Sequence, residues 1–362
     1  MYAIMKELRM SKIVVGMSGG VDSAVTAYLL KAAGHEVIGV TLKTWVSETG
    51  ELSRCCEIDE AGAVCDSLGI PFYAVNCMME FRKHVTEPFV DDYVNGRTPN
   101  PCVECNKYVK WEQLLKIADS MGAQYVATGH YAYIDKLENG RYAVRQAEYA
   151  AKDQTYMLYK LTQEQLSRTI MPLGKLSKDE VRKIAESAGI PVAHKADSQE
   201  ICFVPDGDYG NYIESQSMTD IPQSGNFVDE EGNVLGKHKG IIHYTVGQRR
   251  GLGLALGYHA YVKKIDVENN TVVISTNESL FSDEITCDDL NFMSIDNIAE
   301  NEEIFAVARI RYHHAGEKAV IRRTGEDELS IKFEKPVRAA TPGQSVVFYD
   351  NNGYVIGGGK IK

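Results

Sequence analysis

The amino-acid sequence predicts an α/β amino-terminal domain with a parallel sheet, then a small glycine-rich central domain and a carboxyl-terminal antiparallel β-barrel. Strand-like apolar runs alternate with helical patterns over the first 207 residues, as in parallel sheets covered by helices. After about residue 208, helical patterns become rare and alternating segments bounded by turn signals indicate a small barrel. A chain of 362 residues is also too long for one ordinary domain. We expect domains at 1–207, 208–280 and 281–362.

The individual elements follow from the spacing of apolar residues. Short apolar runs predict strands at 12–17, 36–42, 72–76 and 124–128. Helical spacing predicts helices at 21–33, 81–94, 111–121 and 178–188, and one that ends over 61–69. In the second half, alternation predicts strands at 261–265, 271–275, 304–312, 319–323, 329–333 and 345–349.

The composition is that of a soluble globular protein. Hydrophobic residues make up 44% and charged residues 25% of the chain, which excludes disordered and collagen-like classes. Lys6, Glu7 and Arg9 interrupt the amino terminus, so it lacks the apolar core of a signal peptide. No apolar run approaches the ~18 residues of a membrane span. We therefore expect a cytoplasmic protein with no membrane partner.

Two basic runs stand out in a chain of net charge −11. Residues 232–264 contain no Asp or Glu, and the second run lies within residues 309–323. Because a nucleic acid meets one face of a protein, local charge is more informative than net charge. We expect the first run to attract phosphate, with a solvated basic face as the alternative for either run. The basic residues are Lys237, Lys239, Arg249, Arg250, Lys263 and Lys264, followed by Arg309, Arg311, Lys318, Arg322 and Arg323.

A phosphate-binding loop is predicted between the first strand and the first helix, at the sequence Ser-Gly-Gly-Val-Asp-Ser that begins at Ser18. Two glycines allow a sharp turn and a close approach to a ligand, and the N–H groups at a helix amino terminus favour phosphate. Ser18 and Ser23 add hydroxyl donors, while Asp22 could hold Mg²⁺ through water. The lysine and spacing of a Walker motif are absent.

Three of the eight cysteines are candidates for chemistry. Cys102, Cys105 and Cys202 stand in loop-like sequence beside Pro, Asn and acidic residues. Cys65 and Cys77 fall in apolar patterns typical of packed thiols, and a disulfide framework is not expected without a secretory signal. Cys55, Cys56 and Cys287 receive no predicted role.

The motifs, taken in order, resemble a known family. The loop sequence beginning at Ser18 is the signature of the ATP pyrophosphatases, or PP-loop enzymes, which cleave ATP between its α and β phosphates. With six further motifs the chain resembles the bacterial tRNA-specific 2-thiouridylases, from about Lys12 to its end. Those motifs are Thr98-Pro99-Asn100-Pro101, Cys105-Asn106-Lys107, Thr128-Gly129-His130-Tyr131, Lys152-Asp153-Gln154, Ser198-Gln199-Glu200-Ile201-Cys202-Phe203 and Tyr244-Thr245-Val246-Gly247-Gln248-Arg249.

The resemblance implies ATP- and Mg²⁺-dependent 2-thiolation of uridine at wobble position 34 of tRNA. The C2 oxygen is adenylated, so that a poor leaving group becomes a phosphate ester oxygen. Sulfur then comes from a cysteine persulfide, whose S–S bond is broken by attack of a second thiolate. By motif position Cys202 is the persulfide carrier and Cys105 the nucleophile, whose thiolate Lys107 could favour. The implied partners are tRNAs for Lys, Glu and Gln and a persulfide donor such as a cysteine desulfurase or a sulfur-relay protein.

One position departs from the family pattern. Many members have Asp three residues before the nucleophile, where this chain has Cys102. Cys102 is therefore an auxiliary thiol, or it joins Cys105 and Cys202 as a ligand of a [4Fe-4S] cluster with one open iron site. Zinc fits less well, because structural zinc takes four protein ligands.

The resemblance also implies two sets of binding residues. The base whose C2 reacts must leave its stack, so a pocket for an extruded nucleotide is expected. The nucleotide set is Gly16, Met17, Ser18, Gly19, Gly20, Val21, Asp22, Ser23, Leu42 and Gly129. The tRNA set is Asn100, Pro101, Cys102, His130, Lys152, Asp153, Gln154, Arg311, Tyr312 and Gln344.

Two rival functions remain at this point. A PP-loop synthetase could adenylate a small molecule instead of tRNA, but it would have no use for two loop cysteines or a basic carboxyl-terminal half. A nucleotide- or metal-binding regulator without turnover would bind ATP but would never release pyrophosphate.

Overall fold

A computed structural model describes residues 10–46, 57–195, 201–204, 207–216 and 221–362. Cys55, Cys56 and the motif residues Ser198, Gln199 and Glu200 therefore lie outside the described residues. The chain forms two compact units. The first unit contains Met1–Val85, Cys102–Pro205 and Asn352–Val355, and the second contains Thr86–Pro101, Asp206–Asn351 and Ile356–Lys362. The three predicted domain boundaries stay a prediction.

A five-stranded sheet forms the centre of the first unit, and every neighbouring pair in it is parallel. Its first strand in sequence lies in the middle, with Val15 opposite both Gly39 and Ala127. Because each strand is apolar and parallel, helices cover the sheet and all the carboxyl ends meet at one edge. The order across the sheet is Phe72–Asn76, Glu36–Lys43, Lys12–Gly16, Tyr125–Ala127 and Thr169–Ile170. The predicted α/β fold is thus confirmed.

Three helices enclose the main core of this unit: Val21–Ala32, Ile58–Leu68 and Lys178–Ser187. We call Val21–Ala32 the first helix. Its buried residues Ala24, Val25 and Leu29 belong to the same core as the strand residues Ile13 and Val15. A capping box, in which Ser177 and Glu180 bond each other's backbone N–H, fixes the start of Lys178–Ser187.

The segment with Cys102 and Cys105 is helical, which corrects the prediction of a loop. Pro101–Glu104, the π-helical Cys105–Trp111 and Glu112–Ser120 follow one another without a break, and we call residues 101–120 the thiol helix. Pro and Asn suggested a loop, but Pro101 occupies the first helical position, where its fixed φ and missing N–H cost nothing. The predicted helix at 111–121 is the last part of this longer element.

Smaller elements complete the first unit. Ala132–Lys136 and Tyr142–Gln146 form a two-stranded antiparallel sheet that the sequence analysis did not predict. The other short elements are the helix Met78–Phe81, the π-helix Arg82–Thr86, the 3₁₀ turns Ala150–Lys152 and Thr155–Leu158, and the helix Gln163–Ser167. Among the described residues, no helix has both the length and the apolar content that a membrane span requires.

The second unit contains two β-structures. Its helices are Glu87–Val94 and Tyr209–Ser215, and two 3₁₀ turns span Ile241–His243 and Glu278–Leu280. A four-stranded sheet has the order Tyr261–Asp266, Thr271–Ser275, Gly225–Val228 and Val234–His238, in which the middle pair is parallel. The predicted strands at 261–265 and 271–275 are present in it.

A closed six-stranded barrel confirms the predicted carboxyl-terminal fold. Its inward residues, such as Ile321, Ile331 and Phe348, form a separate core. The strands at 304–312, 319–323, 329–333 and 345–349 were predicted, whereas Phe281–Phe292 and Val355–Ile361, which pair with each other, were not. The order around the barrel is Phe281–Phe292, Glu328–Arg338, Glu317–Gly325, Glu303–Arg309, Ser345–Tyr349 and Val355–Ile361.

Candidate active site

A cavity of about 230 Å³ in the first unit contains many of the residues that the sequence assigned to nucleotide and sulfur chemistry. It lies where three parallel strands end, beside the first helix and the thiol helix, which is where open α/β sheets bind ligands. The lining residues are Gly16, Met17, Ser18, Asp22, Ser23, Val40, Leu42, Thr44, Phe81, Cys105, Lys110, Leu114, Thr128, Gly129, His130, Gln154 and Cys202.

The phosphate loop, residues 16–23, turns into the first helix with no side chain capping that helix at Gly20. The Ser23 hydroxyl holds the turn, because it donates to the Gly20 carbonyl at 3.0 Å and accepts the Ser18 N–H at 3.2 Å. The helix amino terminus therefore keeps backbone donors for an anion. Gly19, with φ +76°, Gly20 and Val21 belong to the loop but do not line the cavity.

Gly129 lies directly against the first turn of the first helix. A Cβ on this residue would be 2.7 Å from the Asp22 carbonyl carbon, 2.8 Å from the Ser23 nitrogen and 3.0 Å from the Asp22 Cβ. Those atoms are backbone or fixed to it, so only glycine fits without displacing the helix amino terminus. Gly129 therefore sets the distance between the strand end and the phosphate loop, and it also lines the cavity.

The carboxylate of Asp22 is held by two side chains from distant parts of the chain. The Lys178 Nζ lies 2.8 and 2.9 Å from its two oxygens, and the Tyr131 hydroxyl donates to Oδ1 at 2.7 Å. The Lys178 side chain is only 10% exposed, so solvent screens this ion pair weakly. Neither residue was predicted, because nothing in the local sequence connects them to the loop.

These contacts bear on the Mg²⁺ expectation. Mg²⁺ in nucleotide sites takes one or two carboxylates together with phosphate oxygens and water. Both oxygens of Asp22 are engaged by Lys178, and the described residues contain no group of three His, Cys, Asp or Glu side chains arranged to hold a metal ion. Asp22 as it stands does not fit a direct magnesium ligand, and its predicted contact with Mg²⁺ through water stays a prediction.

The thiols differ in their placement. Cys105 is 9% exposed and Cys202 is partly exposed, and both line the cavity. Cys102 is exposed and does not line it. Cys65 is buried in the core, where burial raises the pKa of its thiol to about 12 and keeps it protonated. The cavity thus brings together the two cysteines that the motifs paired.

The same placement tests the cluster alternative. A cluster with one open iron site needs three thiolates gathered around it. Cys102, Cys105 and Cys202 are all described, and they do not form such a group. The residues as arranged therefore do not fit the cluster, and no step is derived through it.

Lys110 and Phe81 also line the cavity, and the sequence analysis assigned neither of them. The Nζ of Lys107 lies 4.8 Å from the centroid of the Tyr108 ring, and its expected effect on the Cys105 thiolate stays a prediction. His130, which the resemblance assigned to the tRNA set, also lines the cavity, and its Nδ1 is 2.9 Å from the Thr128 hydroxyl. Burial first, and then the charge of Lys110, hold the pKa of His130 well below its ordinary value.

The predicted tRNA segment at 152–154 is tied to the same region. The Gln154 side chain accepts the Tyr131 N–H at 3.0 Å, and the Gln154 N–H donates to the Tyr131 carbonyl at 3.1 Å. Asp153 is buried and its carboxylate accepts from the Thr155 hydroxyl and the Ala147 N–H. Asp153 shapes the segment, whereas Lys152 is partly exposed and Gln154 lines the cavity. Their contact with tRNA stays a prediction.

The remaining tRNA-set residues belong to the second unit. The Gln344 amide donates to the Thr98 carbonyl at 2.8 Å, which joins the barrel to the chain segment before Asn100 and Pro101. Arg311 donates to the Arg338 carbonyl, and Tyr312 packs edge-on against His313. That these residues contact tRNA stays a prediction.

The two basic runs differ in how many of their charges face solvent. In the first run, Lys237, Lys239, Arg249, Arg250 and Lys264 are exposed, and Lys263 pairs with Glu230. In the second run, Arg323 donates to three backbone carbonyls and Arg322 pairs with Glu303, while Lys318 is exposed. The first run is therefore the better candidate for phosphate contacts.

Comparison with known proteins places each part of the chain in a described family. Residues 11–206 match the family model described as tRNA methyl transferase HUP domain, and residues 217–276 match its PRC-barrel domain. Residues 282–361 match the aminomethyltransferase beta-barrel domain. Among solved structures, the U34-tRNA thiolase NcsA of Methanococcus maripaludis with its [4Fe-4S] cluster is 21% identical, with a TM-score of 0.36. It covers 57% of this chain and 67% of its own, and at that score it carries no inference about the site.

Close relatives cover nearly the whole chain. The tRNA-specific 2-thiouridylase MnmA of Lachnoclostridium phytofermentans is 52% identical over 359 residues, which are 97% of this chain and 99% of the relative. The protein of the same description from Clostridium acetobutylicum is 49% identical over 357 residues, again 97% and 99% of the two chains. The resemblance seen in the sequence motifs is confirmed, and the chain belongs to the family of tRNA-specific 2-thiouridylases.

Proposed function

We propose that the protein uses ATP to replace the C2 oxygen of uridine 34 in tRNA by sulfur, releasing AMP and pyrophosphate. The observation that carries this proposal is that one cavity is lined by both the phosphate loop and two thiols, Cys105 and Cys202. A synthetase of small molecules needs the loop but not the thiols. Relatives about 50% identical over nearly full length are named for the same activity.

In the first step the chain holds ATP and orients its α-phosphate. The uncapped amino terminus of the first helix donates backbone N–H groups to the phosphates, with the Ser18 and Ser23 hydroxyls beside it. Leu42, at the end of its strand, lies in the wall where the adenine would pack. The uracil O2 attacks the α-phosphorus, the bond to the β-phosphate oxygen breaks, and pyrophosphate leaves. Mg²⁺ is expected to accompany ATP as the counter-ion of its phosphates.

In the second step sulfur replaces the adenylated oxygen. The Cys105 thiolate attacks the inner sulfur of a persulfide on Cys202, which forms a disulfide between the two residues and releases the outer sulfur as hydrosulfide. Hydrosulfide adds to C2, the C2–O bond breaks, and AMP leaves with the oxygen while one proton is lost. A dithiol reductant then restores both thiols, and a cysteine desulfurase or sulfur-relay protein reloads Cys202.

Several exposed and cavity-lining residues are candidates for contacts with tRNA. The proposed contacts are the exposed basic residues between 237 and 264, the segment 152–154, His130, Arg311, Tyr312 and Gln344. Asn100 and Pro101 would meet the target base. Phosphate contacts of this kind make binding strongly dependent on salt. We propose tRNAs for Lys, Glu and Gln as substrates and the cytoplasm as the location.

The test supplies unmodified tRNA, ATP, Mg²⁺ and a persulfide donor, followed by analysis of the tRNA nucleosides and of AMP and pyrophosphate. Wild-type protein should form 2-thiouridine, and Cys105→Ser and Cys202→Ser should form none while still releasing pyrophosphate. Cys65→Ala, which removes a buried thiol, is the matched control and should remain active. Pyrophosphate release with a small molecule instead of tRNA, or ATP binding without turnover, would favour one of the rival functions.

The role of Cys102 needs its own measurement. If it is an auxiliary thiol on the exposed side of the thiol helix, Cys102→Ser should slow thiolation without abolishing it. Anaerobic purification with iron and sulfide analysis tests the cluster alternative. If wild-type protein contained stoichiometric iron and sulfide and Cys102→Ser lost them, the cluster-assisted reaction would be favoured over the persulfide relay.

A further inference from the structure

The phosphate loop lacks the lysine that Walker loops supply to their phosphates, so a positive charge for the phosphates has to come from another residue. Among the described residues that line the cavity, Lys110 is the one that carries a permanent positive charge. Asp22 is the lining anion, and its charge is already paired with Lys178. His130 adds no charge near neutral pH, since its pKa is held low.

The π-helical part of the thiol helix explains how Lys110 reaches the cavity. In an α-helix with 3.6 residues per turn, Lys110 would be rotated by about 140° from Cys105 and would face elsewhere. A π-helix bonds each residue to the one five positions away, so residues five apart are about one turn apart. Cys105, Lys110 and Leu114 accordingly line the same cavity.

The widened turn is held by contacts outside the helix. The Lys107 carbonyl accepts the Glu112 N–H five residues on, and also the Gln165 side-chain amide at 3.1 Å. The Asn106 amide donates to the Met157 carbonyl at 2.9 Å. These contacts fix the register that aligns Lys110 with the nucleophile, whereas a regular helix would separate them.

The reaction chemistry indicates which negative charge would meet this ammonium group. In the adenylated intermediate the α-phosphate is bonded to the very oxygen that sulfur replaces, so it lies between the phosphate loop and the thiols. Lys110 shares its wall of the cavity with Cys105, and its charge acts on His130. A cation at that border stabilises the charge that develops as AMP leaves.

We propose that Lys110 is a catalytic residue that binds the α-phosphate of ATP and of the adenylated uridine. This inference rests on the proposed function, because it takes ATP as the ligand of the cavity. The thiol helix would then bind the α-phosphate as well as carry the nucleophile. Both roles depend on the π-turn, because it places the Cys105 thiol and the Lys110 ammonium group on the same face of the helix.

The experiment compares equilibrium binding of adenosine, AMP and ATP by calorimetry. Lys110→Met removes the charge at similar length, and Lys110→Arg keeps the charge. Lys116→Met is the matched control, because Lys116 lies on the same helix and its side chain is 61% exposed. Loss of one charge-assisted contact predicts AMP binding that is about tenfold to a hundredfold weaker in Lys110→Met.

Adenosine binding should be unchanged in every variant, which shows that the cavity is folded. Lys110→Arg should recover most of the AMP affinity, and Lys116→Met should bind all three ligands like wild type. Equal AMP affinity in Lys110→Met and wild type would overturn the inference while leaving the proposed function intact. Failure of wild-type protein to bind ATP would instead overturn the proposed function.

Discussion

The contact between Gly129 and the first helix gives a sharp test of how the phosphate loop is positioned. The change is Gly129→Ala, which adds a single methyl group. Its Cβ would lie 2.7 Å from the Asp22 carbonyl carbon, about 0.8 Å short of the ~3.5 Å at which two carbon atoms are in favourable contact. The added Cβ would also lie 2.8 Å from the Ser23 nitrogen, so a small shift away from Asp22 does not remove the clash.

To remove this steric clash, the end of the strand and the amino terminus of the first helix have to move apart by most of the missing ~0.8 Å. Overpacking of this kind costs about 1–3 kcal/mol of stability. The larger effect should be on function, because misplacing a binding group by about 1 Å can lower activity by about a hundredfold. We expect ATP binding to weaken by at least about tenfold and the urea midpoint to fall modestly.

The assay is calorimetric ATP binding, together with urea unfolding followed by tryptophan fluorescence. Gly62→Ala is the matched control, because Gly62 lies within the helix Ile58–Leu68 and its added Cβ would meet Phe72 ring atoms at an ordinary 3.5 Å. That change should leave ATP binding unaltered and stabilise the helix slightly. Wild-type ATP affinity in Gly129→Ala would refute the steric argument.

Three further outcomes follow from the polar contacts of the first unit. Glu104→Gln should lower the free energy of unfolding in urea titrations by about 1.5–3 kcal/mol, because it removes the charge-assisted contact between the Glu104 carboxylate and the buried Lys160 ammonium group. Tyr131→Phe should cost about 1.5–3 kcal/mol of stability by removing a donor to the Asp22 carboxylate, and should raise the KM for ATP. The fold holds the pKa of His130 below the value of the unfolded chain, so the contribution of His130 to stability is complete above pH ~6.5 and declines as the pH falls. His130→Asn should therefore make the urea midpoint depend less on pH between pH 7 and pH 5. A pH dependence equal to that of wild type would contradict this.

The sequence was informative where a local pattern decides the structure. The first strand, the phosphate loop and the first helix occupy the residues that their apolar spacing and glycines indicate. The cavity also gathers Leu42, Gly129, Cys105 and Cys202. Leu42 and Gly129 stand where parallel strands end at one edge of the sheet, so their neighbourhood could be inferred from the strands, whereas only the resemblance paired the two cysteines.

The thiol helix was missed because distant contacts decide its geometry. Its π-turn depends on Gln165 and on the carbonyl of Met157, both more than fifty residues away. The barrel strands Phe281–Phe292 and Val355–Ile361 were missed for a compositional reason. The first contains several acidic residues and the second three consecutive glycines, which are depleted in strands, and only closure of the barrel stabilises them there.

The contacts of Asp22 show how the loop is prepared for an anionic ligand. An aspartate in the first turn of a helix is favourable for the helix dipole, but its charge would repel phosphates. Lys178 offsets that charge, and Tyr131 fixes the direction of the carboxylate. Gln154 is bonded to the Tyr131 backbone through both its side chain and its N–H, so the single residue Tyr131 links the segment proposed to meet tRNA to Asp22 of the phosphate loop. The proposed nucleotide and tRNA contacts of this site would therefore share one hydrogen-bonded support.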